Sequence, residues 1–223
     1  MMQIAILISG RGSNMLRLAE VIADIPNDAR IVLVAANTPC DGLDSAAARG
    51  LPTQLVERRD FADKSAHETA LADTIEAAGA DYVLLAGYMA ILSAAFVNRF
   101  TNRIINIHPS LLPDLKGLET HARALADGRA RHGATVHLVT PLLDDGPVLL
   151  QAALTIAADE TEPWLAARVL RLEHALYPFV IIALAMGGLQ IVDGAPRWQK
   201  GKQALGKVDE SIAGILRPAV IWP

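Results

Sequence analysis

Cysteine is almost missing: Cys40 stands alone in 223 residues. No internal disulfide can form, and nothing calls for an oxidising compartment. Cys40 reads as a small, inert side chain beside a turn. A basic excess is missing too. Lys and Arg number 20 against 24 Asp and Glu, a formal net charge of −4, which disfavours nucleic acid as a partner. No run approaches the ~20 apolar residues of a membrane span; the greasiest, residues 179–186, follows Pro178. No basic leader precedes the first apolar run, and repeats and low-complexity linkers are absent. With 52% hydrophobic residues, the expectation is a cytoplasmic chain with one sizeable core.

Several catalytic signatures are also lacking. There is no Gly-x-Ser-x-Gly elbow for a serine hydrolase. His67-Glu68 is followed by Ala70 and Leu71, so no His-Glu-x-x-His zinc motif exists. The six histidines show no local metal pattern, and no metal is expected. His67, His121, His132, His137 and His174 each read as structural or surface residues.

What is present alternates between two periods. Residues 4–8 are a continuous apolar run, suited to a strand buried on both faces. Residues 13–24 carry helical spacing, 31–36 a second buried strand, 44–49 a short helix closed by Gly50, and 53–56 a brief strand. A helix over 61–78 stops at Gly79, and 82–86 form another strand. This alternation implies a doubly wound first half. Strands over 135–139 and 148–154 flank a connection short enough for an antiparallel hairpin, so the sheet is expected to be mixed. Thr161-Glu162-Pro163 opens a long helix reaching about Met186. The last thirty or so residues carry little signal.

The first strand meets its helix through Ser9-Gly10-Arg11-Gly12-Ser13-Asn14. Glycines permit close approach, and a helix start attracts phosphate. Met15 stands where a dinucleotide site wants a third glycine, Asn37 where it wants an acid. No P-loop follows either. The turn is either a phosphate cradle or a tight βα turn capped by Ser13 or Asn14. Further along, Asn106 and His108 sit two apart on a strand end and share a face, with Pro109 holding the histidine extended. Asp144 and Asp145 lie in the hairpin connection. An imidazole oriented by a carboxylate suits proton transfer near neutrality. An amide can donate to an oxyanion. Asn, His and Asp together suit transfer at a carbonyl carbon.

These stretches resemble the glycinamide ribonucleotide formyltransferases, a folate-dependent family of purine biosynthesis. The resemblance rests on Leu7-Ile8-Ser9-Gly10-x-Gly12-Ser13-Asn14, Leu85-Ala86-Gly87-Tyr88-Met89-x-Ile91-Leu92-Ser93 and Asn106-Ile107-His108-Pro109-Ser110-Leu111-Leu112-Pro113. It continues through His132-Gly133-x-Thr135-Val136-His137, Leu143-Asp144-Asp145-Gly146-Pro147-Val148 and Glu173-His174-x-Leu176-Tyr177-Pro178. It implies a three-layer Rossmann-like α/β fold, mostly parallel with an antiparallel C-terminal part. A catalytic domain would span residues 1–190, with a phosphate-binding half over 1–100 and a folate and catalytic half over 101–190. Residues 191–223 would extend the same domain.

The resemblance implies formyl transfer from 10-formyltetrahydrofolate to the amine of phosphoribosylglycinamide. Asn106 would hold the formyl oxygen, His108 would be the general acid, and Asp144 would orient His108. Gly12, Ser13 and Asn14 would hold the substrate phosphate, and Glu173 the ribose. The folate would lie against Met89, Ala90, Ile91 and Leu92, Asn106, and Val139, Thr140, Pro141, Leu142, Leu143 and Asp144, with Lys64 reaching its polar tail. The partners would be these small molecules alone, with no nucleic acid and no membrane, in a monomer or homodimer. The chain departs from the family at Ala90, where relatives often carry a base, at Lys64, often arginine, and at Leu170, often polar. Residues 114–119 vary as well. Sister formyltransferases acting on a tRNA or a sugar amine, a folate deformylase, and a non-enzymatic binding module remain alternatives.

Overall fold

In the computed structural model, which describes residues 1–25, 27–199 and 204–223, the first apolar run is strand β1 (Met2–Ile8). Its residues 4–8 are fully buried, as coverage on both faces requires. The fold is α/β and contains an eight-stranded, mostly parallel sheet. The chain divides into two compact units. One comprises Met1–Asn106 with Val139–Pro141; the other comprises Ile107–Leu138 with Leu142–Pro223.

In the first unit β1 is joined by β2 (Ala29–Ala36), β3 (Thr53–Leu55), β4 (Tyr82–Leu85) and the start of β5 (Ile104–His108). Their order is β5-β4-β1-β2-β3, every pair parallel. The crossovers carry α1 (Ser13–Ala23), α2 (Asp41–Ala48), α3 (Lys64–Ala77) and α4 (Ala94–Arg99). Leu71, Ile75, Phe96 and Phe100 pack with Leu7, Val83, Leu85 and Ile104 into one core.

Three local expectations need correcting. Neither Ser13 nor Asn14 caps α1; its N-cap is Gly12 in the left-handed region at φ 71, with no side-chain cap. The second helix starts at Asp41 rather than 44, because Asp41 and Asp44 fill its first turn and favour the helix dipole there. The third starts at Lys64 rather than 61. Asp63 is its cap, accepting from the Ala66 N–H at 2.8 Å, and a separate 3₁₀ turn occupies Arg58–Asp60.

In the second unit β6 (Arg131–Leu138) and β7 (Val148–Thr155) form the expected antiparallel pair. β6 begins four residues early, through Gly133. A Cβ there would lie 2.0 Å from the Ala152 carbonyl oxygen, so this glycine permits the close pairing instead of breaking it. Also in this unit are α5 (Thr120–Ala126) and α6 (Glu162–Ala185), the latter with Pro178 inside it. After α6, in the stretch that carries little sequence signal, come the hairpin β8 (Leu189–Val192) and β9 (Ala195–Trp198), then α7 (Glu210–Leu216) and β10 (Val220–Ile221). β10 pairs antiparallel with β7. Phe179 stacks on Trp198 at 5.7 Å, Trp222 closes on both rings, and the Trp198 indole N–H donates to the Leu149 carbonyl.

Candidate active site

Each unit carries one polar cluster. In the first, the turn between β1 and α1 is held by its neighbours' backbone. The Gly42 N–H donates to the Gly10 carbonyl at 3.1 Å, and the Ser9 N–H to that of Gly87. A Cβ on Gly42 would lie 2.5 Å from the Gly10 oxygen, so α2 reaches the turn because its second residue is a glycine. The Ser9 hydroxyl donates to Asn37 Oδ1 at 2.8 Å and accepts from the Met89 N–H at 3.0 Å. Gly12, Ser13 and Asn14 therefore sit at the start of an 11-residue helix that no side chain caps. That is the geometry in which backbone N–H groups receive an anion.

The segment after β4 leaves the same carboxyl side of these parallel strands. Met89 and Ile91 are two-thirds exposed and Ala90 is exposed, while Leu92 is buried. Lys64, the first residue of α3, places Nζ 3.6 Å from Glu68 Oε1. That same oxygen accepts the Ser93 N–H at 3.1 Å. Burial, with the Glu68 charge second, pushes the neighbouring Tyr88 phenol well above its ordinary range. Val139 extends the backbone ladder by donating to the Ile104 carbonyl. Thr140 is half-buried and Pro141 exposed. Asn106 is half-buried on β5.

In the second unit His108 ends β5, 6% exposed. Its Nε2–H donates to the Leu115 carbonyl at 3.0 Å, and its Nδ1 faces Asp144 Oδ2 at 3.5 Å. The latter is longer than a direct hydrogen bond. Asp144 Oδ2 accepts the Gly117 N–H at 2.9 Å, and Oδ1 stands 3.8 Å from His137 Nε2. Burial lowers the His137 pKa most, against the Leu138 carbonyl and Asp144, which raise it. Leu115, Gly117 and Asp144 all adopt left-handed backbone, at φ 55, 79 and 47. For the two non-glycines this is strained conformation of the kind that gathers at functional sites.

The loop behind this cluster hangs on Thr135. Its hydroxyl donates to the Ser110 carbonyl at 2.6 Å and accepts from the Leu112 N–H and from Gln151 Nε2. Gln151 also reaches the Leu112 carbonyl, and Thr120 the Pro109 carbonyl. Leu142 and Leu143 are half or more exposed beside Asp144, and Glu173 is buried on α6. His121 Nδ1 meets His132 Nε2 at 3.1 Å, and burial pushes His132 down to about 4.

The structure thus brings His108 and Asp144 together, and sets Lys64 on the same unit as Met89, Ile91 and Leu92. Sequence reading missed His137 as a neighbour of Asp144 and Thr135 as the loop's anchor. Missed too was Glu68 as the partner of Lys64, although the i, i+4 spacing was there to find. Among the described residues no group of three or more His, Cys, Asp or Glu could hold a metal ion. No helix among them is long and apolar enough to cross a membrane.

A family model described as formyl transferase matches residues 2–181. The phosphoribosylglycinamide formyltransferase of Escherichia coli (strain K12) is 39% identical over 203 residues, spanning 91% of this chain and 95% of that protein. The trifunctional purine biosynthetic protein adenosine-3 of Drosophila melanogaster is 38% identical over 188 residues, 83% of this chain but 14% of that protein. The crystal structure of glycinamide ribonucleotide transformylase 1 from Symbiobacterium toebii matches with a TM-score of 0.85 at 36% identity, over 90% of this chain and 95% of that one.

Proposed function

The chain belongs to the formyl transferase family, and we propose that it moves the formyl group of 10-formyltetrahydrofolate to the amine of phosphoribosylglycinamide. The observation that carries this reading is the buried pair of Asp144 and His108, the latter on the strand that also bears Asn106. The amine attacks the formyl carbon, and the carbonyl oxygen becomes an oxyanion. Asn106 donates to that oxygen, stabilising charge where it develops. The tetrahedral intermediate then expels the folate nitrogen, which needs a proton. His108 supplies it as general acid and takes up the proton that the attacking amine releases, so the transfer is proton-neutral. Asp144, fixed by the Gly117 N–H, holds the imidazole in orientation across 3.5 Å, a gap that a small movement or a bridging water closes.

The binding roles follow the two clusters. The phosphate sits on the N–H groups at Gly12, Ser13 and Asn14, and Glu173 accepts the ribose hydroxyls. The donor's pterin and ring lie against Met89, Ala90, Ile91 and Leu92 and against residues 139–144. Exposed apolar side chains at Met89, Ile91, Leu142 and Leu143 are what such a flat, partly apolar ligand would cover. Lys64 faces the donor's anionic tail.

The test is one assay with three acceptors. Purified protein and 10-formyltetrahydrofolate are given phosphoribosylglycinamide, unformylated methionyl-tRNA, or water alone. Formylation of the first and neither of the others is expected. Turnover with water as good as with the amine would make the chain a deformylase, and formylation of the tRNA would move it to a sister activity.

A further inference from the structure

Lys64 is badly placed for the helix that carries it. It is the first residue of α3, where a cation opposes the positive end of the helix dipole. Its i, i+4 partner Glu68 lies C-terminal to it, the weaker of the two orientations for such a pair. Neither choice is the one that best stabilises the helix, so helix stability alone does not account for the pair.

Glu68 is equally uneconomical as a structural residue. Its side chain is 7% exposed, and Oε2 is buried with no hydrogen-bond partner among the described residues. A neutral acceptor would serve the Ser93 N–H without burying a charge. Among the described residues the charge is answered by one cation, the Nζ of Lys64 at 3.6 Å. Through a single oxygen, Glu68 therefore ties down two things at once. One is Ser93, which ends the 87–93 segment and caps α4 by accepting the Phe96 N–H. The other is the only part of Lys64 that can meet a ligand. The opposite end of that segment is fixed independently, by the Met89 N–H on the Ser9 hydroxyl. Between these two anchors stand the exposed Met89, Ala90 and Ile91.

We infer that Glu68 is a positioning residue for the formyl donor. It sets the wall formed by residues 89–92 through Ser93, and it holds the half-exposed Lys64 ammonium in place for the donor's anionic tail. This rests on the donor-binding reading given above and extends it to a residue that touches no substrate.

Two variants separate the two tethers. Glu68→Gln keeps an acceptor for the Ser93 N–H and loses the charge that holds Lys64. Glu68→Ala loses both. With full-length donor, Glu68→Ala should raise the donor KM about tenfold, the worth of a charge-assisted hydrogen bond. Its kcat should stay within about twofold, and the KM for the amine substrate should not move. Glu68→Gln should raise donor KM only about threefold, as befits a half-exposed ion pair. With a formylated pterin donor lacking the glutamate tail, Glu68→Gln should match the wild type, while Glu68→Ala should still be impaired. Independently of activity, amide hydrogen exchange across residues 88–93 should quicken in Glu68→Ala and not in Glu68→Gln.

Unchanged donor KM and unchanged exchange in a folded Glu68→Ala protein would overturn the inference. So would an equal rise in KM for both substrates, which would mean general loosening. Absence of any formyl transfer by the wild type would overturn the functional reading instead, and the exchange experiment would still decide whether Glu68 sets the loop.

Discussion

The two units solve the same problem, holding polar groups in fixed places, by different means. In the first, backbone does most of the work. The Gly-rich turn is fixed by the Gly42 and Ser9 N–H groups, and the uncapped helix start offers the N–H groups proposed to hold the phosphate. In the second, side chains hold a loop. Thr135 and Gln151 reach the backbone of Ser110 and Leu112, and Asp144 and His108 take the Gly117 N–H and the Leu115 carbonyl. A cradle made of backbone tolerates side-chain change but not added volume. A loop hung on side chains fails when one polar atom is removed.

The largest effects belong to the proposed reacting groups, and they should appear chiefly in rate. His108→Ala is expected to lower kcat by roughly 10²–10⁴, and Asn106→Ala by roughly 10²–10³, with urea midpoints close to the wild type for Asn106→Ala. Steady-state kinetics beside equilibrium unfolding would check this. Near-normal turnover in either variant would remove that residue from the mechanism.

This contrast also explains what could be read from the chain. The parallel strands were legible because burial on both faces leaves an unbroken apolar run, as at residues 4–8 and 31–36. Asn106 and His108 were legible because strand alternation puts positions two apart on one face. The helix starts at Asp41 and Lys64 were misjudged because apolar periodicity fixes a helix's middle, while its ends are set by caps such as Asp63. The partners of Asp144 were out of reach. Gly117 and His137 meet it, and Leu115 meets His108, through left-handed loop backbone and hairpin register, neither of which has a short-range signature. Residues 200–203, in the stretch that gave little signal, lie outside the described residues.

A matched pair of substitutions sharpens the difference between the units at intermediate size. Thr135→Val keeps the shape and removes the hydroxyl, leaving the Ser110 carbonyl and the Leu112 N–H short of a partner. That should cost about 2–3 kcal/mol in urea unfolding and lower kcat through the loop that positions His108. Gly42→Ala adds a methyl 2.5 Å from the Gly10 oxygen, forcing α2 away from the turn. It should cost about 1–2 kcal/mol and act on the KM for the phosphate-bearing substrate, leaving kcat nearly intact. If Gly42→Ala instead lowered kcat and Thr135→Val raised only KM, the division of labour between backbone cradle and side-chain loop would be wrong.

The most gradual effect is a dependence on pH confined to the second unit. His132 is 1% exposed and is pushed down to about 4 by burial first, then by His121 and His108. A histidine kept neutral in the fold binds its proton more readily when unfolded. Above about pH 6.5 both states are neutral and its contribution is fully present. As pH falls from there towards 4, the unfolded chain gains a proton that the native state resists, and stability drops by up to ~1.4 kcal/mol per pH unit. Below 4 both states are protonated and the loss levels off. His121 shares a hydrogen bond with this ring and is itself lowered by burial, against the pull of Glu162. Replacing His132 therefore removes part of the slope and not all of it. Unfolding free energies for wild type and His132→Gln between about pH 7 and pH 5 should converge as the solution becomes more acid. Parallel curves across that window would mean that the ring titrates alike in both states, and that its burial carries no proton linkage.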